Sequence, residues 1–241
     1  MQLDVVLLPA ELPARARPEH IAVVIDVIRA STSIVSACQH GARAVLPVAS
    51  ADEARALATE MPGAVLAGER GGTRIPGFAI GNSPREFTAA AVEGRDVILT
   101  TSNGTRTLRL VEAGRRVAIA AFVNRATVAR WLVTQNDDAL IVCSGYEGIF
   151  SLEDAVCAGS ITAQVSERGA AELGDGARAC RVLWEAWRTD LFSLLCSTGW
   201  GREVIALGLQ ADLALCAELD TASVLPILEN GRITAAPARH A

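Results

Sequence analysis

The stretch Ala64-Val65-Leu66-Ala67-Gly68-Glu69-Arg70-Gly71-Gly72-Thr73-Arg74-Ile75-Pro76-Gly77-Phe78-Ala79-Ile80-Gly81-Asn82-Ser83-Pro84-Arg85-Glu86 reads as strand, loop and helix start. Its apolar opening, residues 64–67, is a short buried strand. Its close, Ser83 to Glu86, has the spacing of a capping box with proline at the first helical position. Between them hangs a loop rich in glycine and arginine. Glycine lets backbone N–H groups approach an anion, and Arg70 and Arg74 carry guanidinium forks that match its oxygens. Glu69 can orient those arginines or bind a metal that shares the anion. An ordinary surface loop with a tight turn is the competing reading.

The same order recurs on both sides. Strands are expected at 3–8, 21–25, 44–48, 96–100, 116–120, 139–143 and 224–228, the last meeting the turn Glu229-Asn230-Gly231. Residues 9–18 read as a loop. Helices are expected from the Ser31 region to His40, over 51–60, from Pro84 to Val92, up to Ala113, from Asn124 through Trp131, and from Ser151 past Gly159. The C-terminal part reads as helices over 177–195, 201–207 and 210–217. The alternation predicts an α/β chain: three α/β/α layers around a largely parallel or mixed sheet. Asp26, Glu69, Thr101 and Ser144 each follow the carboxyl end of a strand, where open α/β sheets bind ligands. No repeat or linker divides the chain, so residues 1–241 are expected to form one domain.

Composition narrows the function. Of 241 residues, 51% are hydrophobic and 20% charged, and the formal net charge is −5, which argues against general nucleic-acid binding. No apolar run reaches membrane-spanning length and no signal peptide is evident, so a cytoplasmic location is expected. The chain has no lysine, which excludes a Walker P-loop and Schiff-base chemistry. His20, His40 and His240 sit in no motif. Six scattered cysteines read as reduced, mostly buried thiols.

Acids (Asp26, Glu69, Glu147, Glu153, Asp154), arginines (Arg29, Arg70, Arg74, Arg106) and small hydroxyls fill the loops, a set suited to a hard divalent cation and a small polyanion. Each has a plainer reading. Asp26 with Ser31 or Thr32 can simply cap a helix. Glu153 and Asp154 can be an acidic first turn. Trp184, Trp187, Leu191 and Phe192 read as core or a subunit contact. Cys196 and Arg202 have the spacing of cysteine-dependent phosphatases, yet the segment before Cys196 looks helical, whereas a strand should deliver that nucleophile. The second aspartate of the haloacid-dehalogenase signature is missing, since Ile28 stands where it should be.

Four stretches together carry a resemblance. They are Val23-Val-Ile-Asp-Val-Ile-Arg-Ala-Ser-Thr-Ser-Ile34, Ala67-Gly-Glu-Arg-Gly-Gly-Thr-Arg-Ile-Pro-Gly-Phe78 with Gly81-Asn-Ser-Pro-Arg-Glu86, Thr100-Thr-Ser-Asn-Gly-Thr-Arg106, and Ser151-Leu-Glu-Asp-Ala-Val-Cys-Ala-Gly159. In these, in this order, the chain resembles the 2-phosphosulfolactate phosphatases, the ComB family. The resemblance implies an α/β/α fold and a Mg²⁺-dependent hydrolase. It also implies conversion of (2R)-phospho-3-sulfolactate to 3-sulfolactate and phosphate, a step of coenzyme M biosynthesis. The chain departs from the family pattern at Ala79, Ser102, Ser144 and Cys196.

On this reading Asp26, Glu69 and Arg70 are catalytic, and Mg²⁺ is held by Asp26 with Glu69 or with Glu153 and Asp154. Arg29, Arg74 and Arg106 divide the substrate's anionic groups with Arg70. Ser31, Thr32, Gly71, Gly72, Asn82, Ser83, Asn103, Gly104, Thr105 and Ser144 complete the binding set. Attack by water and attack through a phosphorylated carboxylate both remain open. A cysteine phosphatase using Cys196 and Arg202, and a non-catalytic polyanion-binding module, are the alternatives. The apolar C-terminal helices are suited to a homodimer contact.

Overall fold

The computed structural model describes residues 1–15, 17, 19–111, 116–169 and 171–236. Pro18, Ala113 and His240, on which expectations fall, lie outside the described residues. The strands are β1 (Gln2–Val6), β2 (Ile21–Ile25), β3 (Ala44–Pro47), β4 (Val65–Arg70), β5 (Thr73–Arg74), β6 (Asp96–Thr100), β7 (Val117–Ala120), β8 (Ala139–Cys143), β9 (Glu172–Leu173), β10 (Pro226–Glu229) and β11 (Arg232–Ala235). The helices are α1 (Leu12–Arg15), α2 (Ala30–Gln39), α3 (Ala51–Glu60), α4 (Ala89–Val92), α5 (Gly104–Val111), α6 (Arg125–Gln135), α7 (Leu152–Glu167), α8 (Asp175–Trp187), α9 (Leu191–Ser197), α10 (Gly199–Ala206) and α11 (Gln210–Cys216).

These strands form one mixed sheet in the order β5-β4-β6-β3-β11-β10-β7-β2-β8-β1-β9. It consists of two parallel blocks. In one, β2 pairs in parallel with both β7 and β8, and β8 with β1. In the other, β6 pairs in parallel with β3 and β4. The β10–β11 hairpin joins them through three successive antiparallel pairings, so the two blocks run in opposite senses.

The central strands are buried along their whole length, and successive side chains face two different cores, as a sheet covered on both sides requires. Ile21, Val23 and Ile25 pack with α6, α7 and α8 in one core. Ala22 and Val24 pack in another with Ile34 and Ala37 of α2 and Leu108 and Val111 of α5. Val97 and Leu99 of β6 reach that same second core, which is therefore shared by both blocks. A third cluster joins Ile98 of β6 to Ala54 of α3. Helices thus cover both faces, giving the expected three layers.

Local signals held where a cap or a run of β-branched residues was clear. Ser151 caps α7 by accepting the Asp154 amide at 3.4 Å. Elsewhere tertiary contacts changed the outcome. The expected helix at Pro84–Val92 is a 3₁₀ turn (Pro84–Glu86) followed by the short α4, because Ser83 does not cap. Its hydroxyl donates to Asp212 at 2.6 Å, and Glu86 accepts the Gly81 amide at 2.7 Å. The helix expected over 177–195 breaks after Trp187, and Asp190 caps α9 through the Ser193 amide. The loop at 9–18 contains a 3₁₀ turn (Pro9–Glu11) and α1. The short strands β5 and β9, and the return strand β11, were not anticipated. Trp184 and Leu191 are core, whereas Phe192 is exposed. Among the described residues, no helix is long and apolar enough to cross a membrane.

Asp96, at the start of β6, clamps the joint between the blocks. It accepts from Arg43 at 2.5 and 3.1 Å and from Arg232 of β11 at 2.9 Å. The Arg43 hydrogen bond, with both guanidinium charges, holds its carboxyl below the usual range. Asp96→Asn should lower stability at pH 7 by about 1–2 kcal/mol, a modest figure because both arginines are half in solvent. A depressed folded-state pKa contributes stability above the unfolded value, about 4, and loses it as pH falls through the folded value. Urea unfolding should therefore show the gap between variant and wild type closing in acid. A gap that persists unchanged there would remove the ionic clamp.

Candidate active site

The β4–β5 hairpin builds the central loop. Glu69 pairs with Arg74 and Arg70 with Thr73, leaving Gly71 and Gly72 as a two-residue turn with φ of +56° and +77°. Both turn residues at positive φ is the type I′ geometry, which glycine adopts without strain. Gly72 has a second reason to lack a side chain: a Cβ there would lie 2.5 Å from Leu207 and 3.1 Å from Trp200.

Glu69 is buried and folds back on its own hairpin. It accepts the Gly72 amide at 2.8 Å, the Ser102 amide at 2.7 Å and the Ser102 hydroxyl at 3.3 Å. One carboxylate thus ties the hairpin to the loop between β6 and α5. Asp154, also buried, does the same elsewhere. Its two oxygens accept the Val27 amide at 2.9 Å and the Gly145 amide at 3.2 Å, joining the loops after β2 and β8. Asp26 accepts the Ala30 amide at 3.1 Å, while its own amide donates to Ser31 at 2.9 Å. Gly104 packs against it so closely that a Cβ would meet its carboxylate at 2.7 Å and the Ala30 methyl at 2.6 Å.

These acids are packed together away from water. Burial pushes the Asp26 carboxyl up to about 7; the Ala30 amide opposes this, the charges of Glu69 and Glu153 add to it, and Arg29 opposes it. Burial also raises Glu153, against hydrogen bonds with Ser151 and Thr198. Asp154 is raised by burial and by the Asp26 and Glu153 charges. Arg29 is the buried cation nearest to hand, only 2% exposed. It is already committed to Asp212 at 2.7 Å and to the Gly72 carbonyl at 2.9 Å.

A cavity of about 50 Å³ lies at this point, lined by residues that include Asp26, Arg29, Glu69, Asn82, Ser102, Asn103, Tyr146 and Trp200. Arg29 Nε, Asn82 Oδ1 and the nearby Ser144 Oγ are buried without partners. Buried polar atoms are rarely left so unless something else satisfies them. The donor set is all oxygen and its charge is net negative, so it fits a hard cation. Among the described residues no three His, Cys, Asp or Glu side chains form a ready-made metal cage. That suits a cation such as Mg²⁺, which keeps water or phosphate oxygens for most of its shell.

The sequence-predicted residues separate into groups. Asp26, Arg29, Glu69, Gly71, Asn82 and Asn103 line the cavity. Gly72 touches Arg29 and Glu69 through its backbone, and Gly104 backs Asp26. Ser31, Thr32 and Thr105 instead hold their own loops: the Thr32 hydroxyl donates to the Val27 carbonyl at 2.8 Å, and Thr105 bonds reciprocally with Thr101. Arg70 and Arg106 line a neighbouring groove with Arg109. Arg74 and Ser83 line another with Arg85, Glu86 and Asp212.

Glu147, named among the loop acids though not among the binding residues, lines the cavity, as do Tyr146 and Trp200, which were not singled out as site residues. Tyr146 and Trp200 stack with centroids 4.7 Å apart, and the Tyr146 hydroxyl donates to Glu203 at 3.1 Å. Asp212, which grips Arg29, was also missed. Glu147 stood in a loop already flagged; Trp200 and Asp212 are far away in sequence and carry no local signal. Trp200 lies within the very Cys196–Arg202 stretch that suggested a thiolate. Cys196 itself is in helix α9, its thiol raised by burial and by Asp190, and Arg202 donates to the Ser197 carbonyl. No strand delivers it, and it does not line the cavity. All six cysteines are free thiols, five of them buried.

The family model described as 2-phosphosulpholactate phosphatase matches residues 6–231. A probable 2-phosphosulfolactate phosphatase of Symbiobacterium thermophilum is 39% identical over 224 residues, covering 92% of this chain and 96% of that protein. Proteins of the same name from Parasynechococcus marenigrum and Pseudothermotoga lettingae are 41% and 37% identical, covering 94% and 92% of this chain and 96% and 95% of their own. With the family model matched over nearly the whole chain and relatives of about 40% identity covered almost end to end, the chain belongs to the 2-phosphosulfolactate phosphatase family of phosphoric monoester hydrolases.

Proposed function

We propose that the protein hydrolyses (2R)-phospho-3-sulfolactate to 3-sulfolactate and phosphate with the help of Mg²⁺, a step of the coenzyme M biosynthetic type. One observation carries the reading most: a small cavity whose wall combines crowded buried carboxylates with unpartnered buried polar atoms. Asp26 is the first candidate to hold the ion, with Glu153 close enough to contribute charge and Glu69 able to share through its remaining lone pairs. Asp154 does not line the cavity and its two oxygens accept amides from two loops, so its role is to position those loops. Mg²⁺, when bound, would neutralise phosphoryl oxygens and lower the pKa of a coordinated water.

The chain's own residues do the rest. Arg29, held by Asp212 and the Gly72 carbonyl, keeps its unpartnered Nε for a phosphoryl oxygen. Asn82 and Asn103 offer amide groups at the cavity wall. The Tyr146–Trp200 stack walls the phosphoryl site from solvent, which strengthens every charge interaction inside. Glu69 keeps the hairpin and the Ser102 loop in fixed relation, so donors are in place before substrate arrives.

Phosphate release from racemic phosphosulfolactate tests the reading. Release is expected with Mg²⁺ and should stop in excess EDTA. Asp26→Asn should lower kcat by at least about a hundredfold while the circular dichroism spectrum stays native; near-normal turnover would remove Asp26 from the chemistry. Cys196→Ser should leave turnover within about twofold, because the thiol does not line the cavity. Activity that survives EDTA and dies with Cys196→Ser would replace the metal reading with a thiolate. A separate check uses Gly104→Ala, whose methyl must displace Asp26 or Ala30. It should cost about ten- to a hundredfold in kcat through misplacement of Asp26.

A further inference from the structure

We propose that the groove lined by Arg70, Arg106 and Arg109 receives the sulfonate of the substrate, while the phosphoryl group occupies the cavity beside Asp26. The inference rests on the hydrolase reading and deepens it.

Size comes first. A cavity of about 50 Å³ holds a phosphoryl group or a few waters, so the rest of a three-carbon substrate with three anionic groups must lie outside it. Two grooves adjoin. One, of about 540 Å³, shares Thr101 and Ser102 with the cavity. The other, of about 440 Å³, shares Arg29 and Asn82. Ser102 is exposed and makes a low sill to the first groove, whereas Arg29 and Asn82 are both buried and make a closed wall to the second.

Charge separates the two further. The first groove is lined by three arginines and no acid. In the second, Arg29, Arg74 and Arg85 face Glu86 and Asp212; Arg29 is paired with Asp212, and Arg74 lies 3.8 Å from Glu86. The first groove is therefore the stronger anion site.

Its arginines are also differently prepared. Arg70 is braced by the Glu69 carbonyl at 2.6 Å, the Ala49 carbonyl at 3.3 Å and the Thr100 hydroxyl at 2.9 Å. Arg109 is held by Glu53 at 2.9 Å. Arg106, exposed in the first turn of α5, has no protein partner among the described residues. A sulfonate is ionised at every physiological pH and presents three oxygens, which suits guanidinium forks approaching from two elements. Arg106 is the specificity-determining residue on this account, and Arg70 is the fixed wall it works against.

The experiment compares phosphosulfolactate with 2-phospholactate, which keeps the phosphate and carboxylate but lacks the sulfonate. kcat/KM is measured for both on wild type, Arg106→Gln and Arg85→Gln, and binding of 3-sulfolactate and lactate is measured by calorimetry on the same three proteins. Arg106→Gln should reduce the preference for the sulfonated substrate by about tenfold or more, mainly through KM, with 2-phospholactate turnover little changed. It should weaken 3-sulfolactate binding in the same measure, and Arg85→Gln should alter neither preference. Equal loss on both substrates in Arg106→Gln, an unchanged preference, or collapse of the preference in Arg85→Gln would overturn the assignment while leaving the hydrolase reading intact. No turnover of either phosphoester, with 3-sulfolactate binding that still depends on Arg106, would remove the hydrolase reading and support the groove. No turnover and no Arg106-dependent binding would overturn both.

Discussion

Loops that turn inside a protein carry backbone amides that no sheet or helix satisfies, and each one left unpaired is costly. Here acidic side chains meet that need. Glu69 takes the Gly72 and Ser102 amides, Asp154 takes those of Val27 and Gly145, and Asp26 takes that of Ala30. The result is a rigid floor made of loops. It also forces several carboxylates into one poorly hydrated region, where burial raises Asp26, Glu153 and Asp154 and the charges of neighbouring carboxylates add to the rise at Asp26 and Asp154. The arrangement that holds the site in shape is thus the one that gives it affinity for a cation. Structural and chemical roles of these acids have a single physical origin.

Arg29 provides the counterweight, and the C-terminal third of the chain fixes it. Asp212 of α11 accepts from both Arg29 and Ser83, so one buried carboxylate joins the loop after β2, the segment after the hairpin and a distant helix. Such a pair contributes little net stability once desolvation is counted, but removing one partner strands a buried charge. Its value here is positional. Trp200 and Leu207 close over Gly72 from the same C-terminal helices, and Trp200 stacks on Tyr146 at the cavity wall. Substitutions in this third of the chain therefore reach the site through Arg29, through the cavity wall and, at Thr198, through Glu153.

The sheet brings these loops together by an indirect route. In a simple doubly wound sheet the carboxyl ends of all strands share an edge. Here the block containing β4 and β6 runs against the block containing β2 and β8, with the β10–β11 hairpin between them. The loops after β6 and β2 still meet. Both blocks pack on a shared core with α2 and α5, and Gly104 at the start of α5 presses against Asp26. Twist accumulating across successive strands allows such convergence.

Much of this was legible in the sequence, because strand–helix alternation, caps and turn glycines act over a few residues. The run Ile21 to Ile25, the cap at Ser151 and the Gly71-Gly72 turn depend on neighbours in the chain, and Asp26, Arg29, Glu69, Asn82 and Asn103 stood out in loops following strands or preceding helices. What the sequence could not show was which loop faces which. Arg70, Arg74 and Arg106 looked equivalent as phosphate grips, yet the fold sends them to two different grooves. Ser83 looked like a cap and instead bonds to Asp212; Ser31 and Thr32 looked like ligand contacts and instead hold their own turn. Trp200 and Asp212 had no local pattern at all. Chain-local physics determined the elements and the chemical character of the loops, whereas contacts between residues from 33 to 183 positions apart decided which of those groups share one cavity.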